Sequence, residues 1–138
     1  DLADSPGIAW YGLQKMPSIE SLESPNLPGL IDMSPHMGDF MDTARIVKRL
    51  DLIVTVDTSM AHLAGSLGLP TIVLLQNPPD WRWGLGEYTP WYQTLALLRQ
   101  TAHGDWAEVI SLLKQRIIKL ATFGKRDAPT YSGLTFRS

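Results

Sequence analysis

The sequence contains no cysteine, which excludes a disulfide framework and any metal site built on thiolates. It has no basic run longer than two residues and a net charge of −2, so nucleic acid is not expected as its main partner. No apolar run approaches the roughly 20 residues that span a bilayer, and the first residues do not form a signal peptide. We therefore expect a cytoplasmic protein without a membrane span.

The composition is that of a globular domain. Of the 138 residues, 44% are hydrophobic and 19% are charged, which suits one domain with a real core and excludes a disordered chain. We assign residues 1–123 to this domain and residues 124–138 to a C-terminal tail. Because the chain begins with Asp1 and lacks an initiator methionine, we expect a processed or excised fragment.

The most informative stretch of the chain has the pattern strand, polar turn, short helix, strand. Residues 52–56 and 71–75 are apolar runs of the length expected for buried parallel strands. Between them, the Asp-Thr-Ser sequence at 57–59 supplies residues that favour helix N-caps, and residues 60–67 favour a helix. Gly68 marks the expected end of that helix.

Strands and helices alternate along the rest of the chain as well. The other predicted strands are residues 7–13, 30–33 and 94–98, and the other predicted helices are residues 16–23, 39–50 and 106–120. This alternation is typical of an α/β fold with a Rossmann-like, doubly wound parallel sheet. We expect residues 52–56 and 71–75 to be neighbouring parallel strands, joined by a right-handed crossover.

The turn at residues 57–59 predicts an anion site. A strand that leads into a helix through small hydroxyl residues presents free backbone N–H groups to an anion, most often a phosphate. His62 follows in the first helical turn, close enough to donate to the same anion. Two simpler interpretations stay open, in which Thr58 and its neighbours only cap the helix and His62 is a core histidine bonded to a backbone carbonyl.

Two further segments follow predicted strands at the edge where ligands bind in such sheets. They are Gln14 with Lys15, and an aromatic, proline-rich loop over residues 76–92. In an extended segment, Trp81, Arg82 and Trp83 cannot all face one way. We expect one indole to pack on the domain and Arg82 to point towards the ligand, and the alternative is a simple packing corner.

The other titratable residues suggest structural roles. Asp39 and Asp42 lie in one turn of a predicted helix, where carboxylates favour the positive end of the helix dipole. His36 and His103 lie in loops without carboxylates at ligand spacing, so we expect plain surface residues. No metal site is predicted.

Together these residues resemble a known family. The segment from Asp39 to Gly68, with its Asp-Thr-x-x-x-His core, resembles the donor-binding half of family 9 glycosyltransferases, the ADP-heptose:lipopolysaccharide heptosyltransferase-like enzymes of the two-domain GT-B fold. Other short sequences resemble a subgroup often fused to tetratricopeptide repeats. They are Gly-Leu-Gln-Lys at 12–15, Asp-Trp-Arg-Trp at 80–83, Pro-Trp-Tyr at 90–92 and Leu-Arg-Gln at 98–100.

The resemblance implies a nucleotide-diphosphate sugar as substrate, with no cofactor and no metal. It implies that Thr58 and Ser59 hold the diphosphate through hydroxyl and N–H groups, that His62 contacts a phosphate oxygen, and that Asp57 organises the turn. The remaining donor-binding candidates are Met60, Lys15, Met37, Gly38 and Arg82.

A complete family member also has an N-terminal acceptor domain and a further βα unit, which this chain lacks. We therefore expect a full-length glycosyltransferase that transfers a sugar to a glycan, lipid or protein acceptor, with its catalytic base in the N-terminal domain. The fragment is expected to be inactive alone and to self-associate through its exposed sheet edge. Two alternatives are a non-catalytic nucleotide-binding or protein-interaction module beside tetratricopeptide repeats, and a nucleotide-sugar epimerase with a GT-B-like fold.

Overall fold

A computed structural model describes residues 7–14 and 29–127, the last five through their backbone alone. The chain divides into two compact units, Asp1–Ile46 and Val47–Ser138. The predicted helical turns at 16–23 and the candidate Lys15 lie outside the described residues.

The first unit contains two short strands, β1 (Tyr11–Gly12) and β2 (Ile31–Asp32), which pair in parallel. Backbone hydrogen bonds extend the pairing by one step, because the N–H of Met33 donates to the carbonyl of Gly12 at 3.0 Å. Strands were predicted at both places. Each is only two residues long, much shorter than its apolar run.

The helix α1 (Phe40–Val47) begins with a reciprocal cap. Asp39 Oδ1 accepts from the N–H of Asp42 at 2.9 Å, and Asp42 Oδ2 accepts from the N–H of Asp39 at 3.4 Å. This capping box satisfies two N–H groups at the start of the helix, so the helix-terminal role predicted for these carboxylates is confirmed. The helix ends at Val47, three residues before the predicted end at residue 50.

The second unit is built on a parallel sheet of three described strands, β3 (Ile53–Val56), β4 (Thr71–Leu75) and β5 (Leu95–Arg99). The order is β3-β4-β5, and both pairs are parallel. Every residue of the central strand β4 is buried. The predicted α/β class with a Rossmann-like parallel sheet is confirmed. The parallel pairing predicted for the strands at residues 52–56 and 71–75 is confirmed as well.

The helix α2 (Ser59–Ser66) connects β3 to β4 and packs against both strands. It ends in a Schellman motif around Gly68, which has a φ of +65°. The N–H of Gly68 donates to the carbonyl of Gly65, and the N–H of Leu69 donates to that of Ala64, each at 3.0 Å. Gly68 therefore ends the helix as predicted.

The helix α3 (Ala107–Asp127) packs against β5 and is longer than predicted. It buries a stripe of three residues four positions apart, Val109, Leu113 and Ile117. Ile110, directly after Val109, is 39% exposed. The backbone stays helical past residue 124, where the tail was expected to begin. Among the described helices, none combines the length and apolar composition that a membrane-crossing segment needs.

Candidate functional site

The turn between β3 and α2 leaves the start of the helix open. Thr58 occupies the N-cap position, but its side chain makes no capping hydrogen bond. Its Oγ1 instead lies 3.1 Å from Thr55 Oγ1 and donates to the carbonyl of Val56 at 3.4 Å. The simple capping interpretation is therefore wrong for Thr58. Within the described residues, the N–H groups of Ser59 and Met60 have no acceptor.

The side chains of the turn are exposed from Asp57 to Ser59, whereas Met60 is half-buried. No described residue forms a hydrogen bond or ion pair with the Asp57 carboxylate. The side-chain contact to the turn comes from Thr55, whose hydroxyl lies next to that of Thr58. No role was predicted for this residue. Its one available signal was a threonine in the otherwise apolar strand β3.

His62 is held by two aromatic side chains. Its Nδ1 lies 3.1 Å from Tyr92 Oη, and its ring stacks on Trp83 with centroids 5.3 Å apart and an interplanar angle of 20°. The Tyr92 ring meets it edge-on, with centroids 5.9 Å apart. His62 is thus half-buried but is not bonded to a backbone carbonyl, so that interpretation is wrong. Its Nε2 has no hydrogen-bond partner in the part of the chain that the structure describes.

Trp81 and Trp83 face opposite environments. Trp83 is 1% exposed and belongs to the core of the second unit, whereas Trp81 is 81% exposed. The expectation that one indole packs on the domain is confirmed. Both residues lie in a 3₁₀ turn, and Asp80 caps this turn by accepting from the N–H of Arg82 at 2.9 Å.

Arg82 is paired with the same carboxylate. Its Nε and Nη2 donate to Asp80 at 2.9 and 3.1 Å. The side-chain hydrogen bond from Arg82, followed by the backbone N–H of Arg82, lowers the pKa of Asp80. The pKa of Arg82 is raised, chiefly by its hydrogen bond to Asp80 and to a smaller extent by the charge of Asp57. Arg82 is therefore engaged by the carboxylate of Asp80.

Arg99, at the end of β5, anchors the loop that carries Trp83. Its Nη2 donates to the carbonyls of Trp83 and Gly86, each at 2.9 Å, and its Nε donates to Gly86 at 3.1 Å. Burial of the guanidinium lowers the pKa of Arg99. The hydrogen bond to Trp83 holds its backbone in place, and the Trp83 ring stacks on His62. No local pattern in the sequence indicates this role, although the Leu-Arg-Gln sequence that contains Arg99 is part of the resemblance.

Tyr92 lies directly on the backbone of α2. A Cβ added to Gly65 would lie 2.5 Å from Tyr92 Cγ, so only glycine leaves room for the ring. Gly65 is three positions after His62, on the same face of the helix. A glycine inside a short helix was the one local sign of this close approach.

Three further residues considered from the sequence lie outside the β3–α2 turn: Met37, Gly38 and His103. Met37, which is 7% exposed, and the exposed Gly38 belong to the first unit. Gly38 leaves room for the capping carboxylate of Asp42, since an added Cβ would lie 2.6 Å from Oδ2. His103 is exposed as predicted, with its Nδ1 2.6 Å from the carbonyl of Asn77. Among the described residues, no group of three histidine or acidic side chains could hold a metal ion.

Comparison with protein families identifies one match. Residues 31–104 match glycosyltransferase family 9 (heptosyltransferase), and this stretch covers more than half of the chain. It runs from β2 to the residues just after β5, so it contains the β3–α2 turn, Trp83 and Tyr92. The comparison with curated proteins finds no significant match, and neither does the comparison with solved structures. The match confirms the resemblance to family 9, and the chain belongs to glycosyltransferase family 9.

Proposed function

We propose that this chain is the donor-binding part of its glycosyltransferase and that the β3–α2 turn binds the diphosphate of a nucleotide sugar. The observation that carries the proposal is the open start of α2. The N-cap hydroxyl of Thr58 is directed back to Thr55, and the N–H groups of Ser59 and Met60 lack acceptors among the described residues. This turn lies inside the stretch that matches the family.

The chemistry of glycosyl transfer suits such a site. The leaving group is a nucleoside diphosphate, so negative charge grows on its phosphates as the glycosidic bond breaks. A helix N-terminus carries about half a positive charge, and N–H groups held in place stabilise the charge without reorganising. In this proposal Ser59 and Met60 donate their N–H groups and Ser59 its hydroxyl, and the hydroxyl of Thr58 turns from the carbonyl of Val56 to donate to the phosphate.

His62 supplies a further hydrogen-bond donor to the diphosphate. Its Nδ1 is engaged by Tyr92, whereas Nε2 is available. In this proposal Arg82, which lies in the loop after β4, adds positive potential at the site. The proposed reaction needs no metal and no cofactor.

The test is calorimetric titration of the full-length protein with ADP, GDP, UDP and CDP. One of them should bind, and Ser59→Ala and His62→Ala should each weaken that binding roughly 10- to 150-fold, which is the loss of one hydrogen bond to a charged group. Thr122→Ala is the matched control, because its hydroxyl bonds only to the carbonyl of Ile118 in α3. Absence of binding by all four diphosphates, or equal affinity in the wild type and both site variants, would refute the proposal.

A further inference from the structure

His62 is constrained from two directions by residues far from it in sequence. Trp83 stacks on the face of the ring, and the hydroxyl of Tyr92 meets Nδ1 at 3.1 Å. A stacked neighbour fixes the plane of an imidazole, and an in-plane hydrogen bond fixes its rotation within that plane. The ring of His62 therefore has little freedom left.

The position of the Tyr92 hydroxyl is itself well determined. The ring lies against Gly65 at a distance that admits no side chain there. It also packs against the buried cluster that contains Ala61, Trp83 and Leu95. Tyr92 can thus hold its hydroxyl in place while α2 presents His62 to it.

Neutral imidazole carries one proton, on either Nδ1 or Nε2, and the partner of one nitrogen decides the state of the other. A tyrosine hydroxyl that donates to Nδ1 makes this nitrogen the acceptor and leaves the proton on Nε2. The reverse arrangement would leave Nε2 as an acceptor, which would repel a phosphate oxygen.

We propose that Tyr92 is a positioning residue that donates to Nδ1 of His62 and thereby presents Nε2–H as a donor to the diphosphate. The inference rests on the proposed function, since Tyr92 acts on the ligand through His62. It assigns Tyr92 a role that packing alone does not require, because a phenylalanine would fill the same space over Gly65.

The first test needs no ligand. Long-range ¹H–¹⁵N spectra of the histidine rings in the full-length protein, at a pH where the imidazole is neutral, report the tautomer of each ring, and His62→Ala assigns the signal. The wild type should show His62 with its proton on Nε2, and Tyr92→Phe should shift it towards a mixture. A proton on Nδ1 in the wild type, or the same tautomer in both proteins, would overturn the inference.

The second test is a double-mutant cycle on the affinity for whichever of ADP, GDP, UDP and CDP binds most tightly. Tyr92→Phe should weaken binding roughly fivefold, the net value of one hydrogen bond. It should have no further effect in the His62→Ala background, because its action passes through His62. Tyr88→Phe, at a partly exposed tyrosine of the same loop, is the control and should bind like the wild type.

The outcomes separate the two proposals. If His62→Ala leaves the affinity unchanged, the proposed role of His62 fails, and the inference fails with it. If His62→Ala weakens binding but Tyr92→Phe does not, the inference alone fails. Equal losses from Tyr92→Phe in both backgrounds would show that Tyr92 acts independently of His62, which also overturns it.

Discussion

The ring of Tyr92 lies so close to Gly65 that a Cβ there would sit 2.5 Å from Tyr92 Cγ. This contact joins the loop after β4 to the helix that begins at the candidate phosphate site. The same tyrosine reaches His62 one turn earlier in the helix. Glycine at this position therefore has a packing reason, since it lets the loop approach the helix that carries His62.

Gly65→Ala should destabilise the protein despite the better helix propensity of alanine. The propensity gain is about 1 kcal/mol, whereas overpacking costs typically about 1–3 kcal/mol. Urea unfolding should therefore show a net loss of stability. In the Tyr92→Ala background the clash is absent, so Gly65→Ala should become stabilising, and a loss of similar size in both backgrounds would show that Tyr92 is not the obstacle.

Thr58→Ala should cost little stability, because the Thr58 side chain does not cap α2. We expect a loss below about 0.5 kcal/mol, whereas removal of a working N-cap costs typically about 1 kcal/mol. Asp39→Ala, which removes the N-cap side chain of α1, is the comparison and should show the larger loss in the same denaturation experiment. A larger loss for Thr58→Ala than for Asp39→Ala would restore the simple capping interpretation.

Arg99→Met should loosen the loop that carries Trp83. The substitution removes three hydrogen bonds, one to the carbonyl of the buried Trp83 and two to the carbonyl of the exposed Gly86. A loss of about 1–3 kcal/mol is expected, together with weaker near-ultraviolet circular dichroism as the Trp83–His62 stack loosens. Arg49→Met, at an exposed arginine, is the control and should change neither quantity.

The Asp80–Arg82 pair should make the loop sensitive to acid. The pKa of Asp80 is lower in the folded protein than its usual value of 3.8, so the pair stabilises the fold above that value. This contribution is lost as the pH falls through the lowered pKa. Asp80→Asn should therefore lower the melting temperature at neutral pH, and its difference from the wild type should shrink as the pH falls below 3.8 and through the lowered pKa. A difference that stays constant as the pH falls would show that the ionised carboxylate is not what matters.

The sequence predicted the alternating elements well where a local pattern decides them. The apolar run at 71–75 became β4 without a change of bounds, and Gly68 ended α2 because a φ of +65° favours glycine. In the first unit, the strands predicted at residues 7–13 and 30–33 are too long, because only two residues of each pair in the described sheet. The lengths of these strands depend on which residues pair in the folded chain, and an apolar run in the sequence does not record that pairing.

The candidate site was predictable only in part, for the same reason. Its anion-binding turn follows from residue types at a helix start, so residues 57–59 and His62 could be picked out locally. Tyr92 lies 30 positions from its partner His62, and Arg99 lies 16 positions from the Trp83 carbonyl that it holds. Contacts over such separations depend on how the loop folds back over α2, and no periodicity in the sequence records that path.

Diphosphate binding at the start of α2 can be observed on the backbone amides themselves. ¹H–¹⁵N spectra of the full-length protein should be recorded during titration with the nucleoside diphosphate that binds and, as a control, with the nucleoside that lacks phosphates. We expect large shifts of the Ser59 and Met60 amide signals with the diphosphate and none with the nucleoside. Saturating diphosphate binding that leaves both amide signals in place would contradict binding at this site.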